Sequence, residues 1–151
     1  MKDKLLSKQG WVILLICIIS FFINNRVVVP DIMEARNMVT AREMVHDGNW
    51  LVPTMNGDLR LEKPPLPTWL TAVAEMISPD NLALQRAMAG FAAILLVAFF
   101  YLTAVQVMRN KRYAFISTIL LCTCYNIILM GRTASWDIYC HAFMMGAISV
   151  S

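Results

Sequence analysis

Few side chains in this 151-residue chain could do chemistry, and they fall in two segments. The first holds Asp31, Glu34, Arg36 and Lys63, and the second holds Arg132 and Asp137. Glu34 and Arg36 open the stretch 34–46, where Ala35, Met38, Ala41 and Val45 recur at spacings of three and four. That is the period of an amphipathic helix. Asp47-Gly48 supplies its stop, because glycine suits the left-handed position after a helix. Such a helix either lies on a membrane surface or carries Glu34 and Arg36 into a site beside the bilayer. Lys63 precedes Pro64-Pro65-Leu66-Pro67. Prolines can open a helix, but they bring no amide hydrogens. An anion at this helix start would therefore draw on Lys63 as a point charge more than on backbone donors. The plain alternative is a solvated or headgroup-facing lysine. Asp137 opens an apolar run directly after Trp136. It is either a helix cap or first-turn acid favoured by the helix dipole, or an acid at the membrane edge facing a polar cavity. An acid well inside a span would cost about 2.5–3.5 kcal/mol.

The rest of the chain is apolar scaffold. Hydrophobic residues make up 58% and charged residues 15%, with a mean hydropathy of +0.58. This composition excludes a disordered tail and argues against an ordinary water-soluble globule. The net charge of +3 is too small and too scattered for a nucleic-acid binder. The class is all-α, with polytopic transmembrane helices and an outward-facing loop containing amphipathic interfacial helices. Apolar runs at about 11–29, 87–108, 113–130 and 135–151 are read as spans. About 18–20 residues cross a bilayer. No small-x-small cleavage site follows the first run, so it is read as a retained span. The loop, about 30–86, holds the helix at 34–46, an extended piece at 49–53 and a turn at Asn56-Gly57-Asp58. Trp69, Leu70, Val73 and Ile77 then recur at helical spacing. The last run reaches Ser151 without a basic flank, which suggests the amino-terminal part of a longer protein.

Charge orients the spans. Lys2, Lys4 and Lys8 stand before the first span, and Arg109, Lys111 and Arg112 follow the second. The positive-inside rule places both segments in the cytoplasm. The 30–86 segment then faces outward, and its eight acids outnumber its five bases. Cys17, Cys122, Cys124 and Cys140 lie in apolar runs without a metal or redox spacing and read as buried free thiols. His46 and His141 stand alone and read as structural.

These residues together resemble a family. The segments Met33-Glu34-Ala35-Arg36, Ala41-Arg42-Glu43-Met44, Gly48-Asn49-Trp50-Leu51-Val52-Pro53, Asn56-Gly57 and Glu62-Lys63-Pro64-Pro65-Leu66 occur in that order. They look like the first outer loop of bacterial polytopic glycosyltransferases of the GT-C superfamily. The similar branch is that of protein O-mannosyltransferases and the lipid A aminoarabinose transferase. Arg132, Asp137 and Phe143 resemble that family's second outer loop. The resemblance implies an inverting glycosyltransferase in the bacterial inner membrane with an outward-facing site. Its donor would be a polyprenyl-phosphate sugar and its acceptor an extracytoplasmic lipid, glycan or protein. It assigns the donor phosphate to Arg36 and Lys63. Where the family carries Asp-Glu-x-Arg, this chain has Met33 in the first acidic position. Glu34 is then the first candidate for the base that takes the acceptor proton, and Asp31 the second. Asp137 would orient the acceptor or support a divalent metal ion, since hard cations favour carboxylate oxygen; the acids alone do not establish a cofactor. The rival is a non-catalytic membrane helical module that binds lipid phosphate through Arg36 and Lys63. Two acids near an anionic lipid suit a transferase better than such a module.

Overall fold

A computed structural model describes residues 8–150. Lys2, Asp3, Lys4 and Ser151 lie outside the described residues. The elements are α1 (Lys8–Phe22), α2 (Ile32–Asp47), β1 (Thr54–Met55), β2 (Asp58–Leu59), α3 (Pro65–Ile77), α4 (Leu82–Met108), α5 (Lys111–Thr123), α6 (Tyr125–Gly131) and α7 (Asp137–Val150).

The helix α4 is the axle. Its 27 residues are long and apolar enough to cross a membrane, about 40 Å at 1.5 Å per residue. Asn81 caps its start by accepting the Leu84 amide. The helix buries small side chains, Ala89, Ala92 and Ala93, together with Leu96 and Val97. Small residues let neighbouring backbones approach closely. Against this face pack Ile13, Cys17 and Phe21 of α1, Cys122 of α5, and Ile138, Tyr139 and Ala142 of α7. Gly131 exists for a close approach. A Cβ there would stand 2.7 Å from the Phe21 ring and 2.9 Å from the Ala93 methyl.

Two apolar runs are not single straight helices. The α1 helix ends at Phe22, and Asn24 turns left-handed at φ 57°. Val27 and Val29 are then more than three-quarters exposed on the way to the loop. The third run breaks after Thr123, and α5 and α6 meet at a 64° bend. Thr118 and Thr123 donate their hydroxyls back to carbonyls four residues earlier, at 2.7 and 3.1 Å. This local competition with the helix ladder favours bending. The thiols also divide. Cys17 and Cys122 are buried with their sulfurs 3.8 Å apart, whereas Cys124 and Cys140 are exposed. Burial was expected for all four. The exposed pair lies beyond the contacts of the α1–α4–α5 core.

The 30–86 segment folds over one end of this bundle. Asp31 caps α2 by accepting the Glu34 amide at 2.7 Å, and Gly48 ends the helix at φ 74°. The β1–β2 hairpin pairs Thr54 with Leu59. Glu43 of α2 accepts the Thr54 hydroxyl at 2.7 Å and the Asn56 amide at 2.5 Å, which ties the hairpin down. Pro64 precedes α3 with an extended backbone. Neither loop helix buries its whole apolar stripe: Ala41 and Met44 of α2 pack with Ala72 of α3 and with Trp50 and Trp69, while polar residues share the buried face. The α2 helix buries Glu34, Asn37, Thr40, Ala41 and Met44, while Ala35 and Val45 are exposed. The α3 helix buries Thr68, Thr71 and Glu75, while Val73, Met76 and Ile77 are exposed. The polar part of this interior is tolerated because its groups satisfy one another.

Candidate active site

The polar interior starts with Glu34, which is fully buried. Arg86, in the first turns of α4, donates Nε and Nη2 to the two oxygens of Glu34, both at 2.7 Å. A third nitrogen, Nη1, donates to the Asn25 carbonyl beyond α1. Glu34 Oε1 also accepts the Ala134 amide at 2.9 Å. One helical turn along α2, Asn37 donates to the Ala134 carbonyl at 2.7 Å. Asn37 also donates to Thr71 at 3.1 Å and accepts from Thr68 at 2.8 Å. Both backbone groups of Ala134 are therefore held by α2 side chains at i and i+3. A bidentate arginine–carboxylate pair with its remaining sites filled is the arrangement in which a buried ion pair is tolerated.

A second cluster lies on the outer side of α2. Arg60 is 7% exposed, and its Nη1 donates to the Arg36 carbonyl at 2.6 Å and to Thr40 at 2.8 Å. The Arg60 guanidinium lies 5.1 Å from the centre of the Trp136 ring, and Lys63 Nζ lies 5.5 Å from the same ring. Both distances suit cation–π attraction. Burial, helped by the nearby Arg36 charge, pushes the Arg60 pKa below its ordinary value, against the opposing pull of Glu62. Trp136 is itself buried, and its Nε1 has no partner among the described residues. Arg36 and Arg60 line a cavity of about 220 Å³ with Met55, Asn56, Asp58 and Glu62.

The structure thus brings Lys63 from the first segment onto Trp136, the residue before Asp137 in the second. Asp137 opens α7 as an exposed first-turn acid, and its carbonyl meets His141 Nδ1 at 2.7 Å. Asp31 is exposed and spends one oxygen on its cap. Arg36 and Lys63 are exposed. Arg132 donates instead to the Ile23 carbonyl at the end of α1. Among the described residues, no three His, Cys, Asp or Glu side chains gather as they would around a cation. Sequence reasoning missed Arg86, Arg60, Asn37 and Trp136. Arg86 left a signal, a lone cation at the edge of a long apolar run, which requires a buried partner. Arg60 left none.

The comparisons with known proteins bear on family and fold. The family model described as dolichyl-phosphate-mannose-protein mannosyltransferase matches residues 10–150. An undecaprenyl phosphate-alpha-4-amino-4-deoxy-L-arabinose arabinosyl transferase of Shewanella sediminis is 31% identical over 108 residues, which is 72% of this chain and 19% of that protein. Its namesake in Pseudomonas savastanoi pv. phaseolicola is 34% identical over 92 residues, 61% of this chain and 17% of that protein. The crystal structure of ArnT from Cupriavidus metallidurans bound to undecaprenyl phosphate superposes with a TM-score of 0.77. It shares 20% identity and covers 95% of this chain and 27% of that one. The chain therefore spans between 17% and 27% of the length of these proteins. The fold is that of a polytopic all-α membrane protein. The chain belongs to the dolichyl-phosphate-mannose-protein mannosyltransferase family.

Proposed function

We propose that this chain forms the donor-binding side of a glycosyltransferase. The enzyme moves a sugar from a polyprenyl-phosphate donor to an extracytoplasmic lipid, glycan or protein acceptor. The observation that carries the reading is the meeting of Lys63 with Trp136 beside Asp137. A cation of the first loop thus rests on the residue that precedes the acid of the second.

In this reading Arg36 and Lys63 hold the donor phosphate, and their charge offsets the charge that grows on it as the sugar leaves. A carboxylate takes the proton from the acceptor hydroxyl. Glu34 has both oxygens engaged by three N–H donors, which supports a holding role. Of the three candidate acids, Asp31 and Asp137 are exposed, each able to meet an acceptor. The relatives' names, and the undecaprenyl phosphate in the matched crystal structure, support a polyprenyl-phosphate partner. The basic Arg109–Arg112 turn and the acidic outer segment support a site facing away from the cytoplasm of a bacterial inner membrane. The exposed Val73, Met76 and Ile77 of α3, and Ile32 and Met33 at the start of α2, support these parts lying in the outer interface of the bilayer.

The test separates turnover from donor affinity. Lys63→Ala and Arg36→Ala are expected to weaken donor binding by about 1.5–3 kcal/mol each. Asp31→Asn or Asp137→Asn, whichever removes the base, is expected to lower turnover by about 10²–10⁴-fold with donor binding nearly intact. Normal transfer by both variants would move the base away from Asp31 and Asp137; lipid phosphate bound with no sugar transfer by the unmodified full-length protein would leave only a phosphate-binding module.

A further inference from the structure

Arg60 is an unusual cation. It is more than nine-tenths buried, yet it forms no ion pair with a carboxylate among the described residues. A buried charge normally brings a counter-ion with it. Its three side-chain bonds, to the Arg36 carbonyl, Thr40 and the Met55 sulfur, all use Nη1. Nε and Nη2 have no partner among the described residues, and neither is a sealed, unsatisfied atom. Arg36 and Lys63 likewise form no ion pair among the described residues. Arg60 thus shares a cavity with Arg36 and the Trp136 ring with Lys63. Asp58 and Glu62 line the same cavity without pairing with any of them.

We propose that Arg60 is a third phosphate-contacting cation of this site, one that discriminates the leaving phosphate monoester from the donor diester. The inference rests on the transferase reading above. The donor is a phosphodiester with one negative charge. As the acceptor oxygen bonds to the sugar C1, the bond between C1 and the phosphate oxygen breaks, and its electron pair stays on the phosphate. The acceptor proton goes to the carboxylate base. The phosphate becomes a monoester, which carries close to two charges above its second pKa of about 6. Arg36 and Lys63 are enough for the first charge. Arg60, with two N–H faces free and its position fixed by Thr40 and the Arg36 carbonyl, answers the second. A contact that strengthens only as charge develops accelerates the chemical step and leaves substrate binding almost unchanged.

The experiment uses the whole chain in phosphatidylcholine nanodiscs, with undecaprenyl phosphate and its methyl phosphodiester as the two probes. The unmodified chain is expected to prefer the monoester by about tenfold, the scale of one charge-assisted hydrogen bond. Arg60→Gln should cut that preference to about threefold or less and leave diester affinity within about twofold. Arg60→Lys keeps the charge without the planar fork, and should hold the preference above about threefold; it also serves if the Gln variant fails to fold. Retention of the full preference in Arg60→Gln, equal weakening of both lipids, or parity in Arg60→Lys would each overturn the assignment and leave the transferase reading standing. A chain that binds neither lipid would sink that reading and this one with it.

Discussion

Replacing Arg86 by methionine removes one half of a fully buried ion pair. Arg86 is 1% exposed and Glu34 is not exposed at all. The substitution keeps the aliphatic stem and deletes two bonds of 2.7 Å to the carboxylate and the bond to the Asn25 carbonyl. Glu34 is left with the Ala134 amide as its one donor from outside its own helix. Breaking a buried pair by removing one partner costs about 3–5 kcal/mol, which multiplies the unfolded fraction by roughly 10²–10⁴. Much of that cost is the stranded carboxylate. The double variant Glu34→Gln/Arg86→Met removes both charges and keeps an acceptor for Ala134, so it should be more stable than Arg86→Met alone. Equilibrium unfolding in mixed detergent micelles, followed by circular dichroism, measures all four members of the cycle. An Arg86→Met chain within about 1 kcal/mol of the unmodified one would refute the clamp. So would a double variant as unstable as the sum of its parts.

Gly131→Ala places a methyl within 3 Å of Phe21 and Ala93; thermal unfolding should show a loss of about 1–3 kcal/mol from overpacking. Gly48→Ala meets no neighbouring atom but must hold φ 74°, so a smaller loss of about 1 kcal/mol is expected in the same assay. Glu43→Ala frees the Thr54 hydroxyl and the Asn56 amide; hydrogen exchange at Asn56 should accelerate while the α4 amides stay protected. The exposed His46 is held by a bond to Asp47 that raises its pKa above 6.5. The bond is therefore strongest below the ordinary histidine range and weakens as pH rises through the raised value; an NMR titration with and without Asp47→Asn would show it. A single cysteine at Asp58 should label from the outer face and one at Asn110 from the cytoplasmic face; the reverse pattern would sink the orientation.

Part of this was legible from residue order. Gly48 marked the end of α2, the prolines marked the start of α3, and Asn56-Gly57 marked the hairpin. Each is a local backbone effect, so a short window of sequence carries it. The faces of α2 and α3 were not legible in the same way. A 3.6-residue period shows that two faces differ. It does not say which is inside when the outer surroundings can be as apolar as a core. The bend at Cys124 was hidden because no proline or glycine marks it, and the threonine hydroxyls that accompany it also occur in straight helices. The meeting of Arg60 and Lys63 with Trp136 joins residues more than seventy positions apart. No spacing rule reaches that far. Asp31, Glu34, Arg36, Lys63 and Asp137 were singled out by residue type and by the family resemblance, whereas the burial of Glu34 and the exposure of Asp31 and Asp137 needed three dimensions.

The capture of Ala134 by α2 has a consequence for how the protein is made. Glu34 and Asn37 leave the ribosome about a hundred residues before the peptide they hold, with separations of 100 and 97 positions. At about 5–20 residues per second, Glu34 waits several seconds for that peptide. Arg86 comes sooner, 52 positions later. The loop helices can form in the meantime, because their caps are local. They cannot complete these bonds until α4, α5, α6 and the 132–136 turn have been synthesised. The last of these partners to arrive therefore acts as the latch, and synthesis of the bundle helices up to α6 must precede closure of the loop.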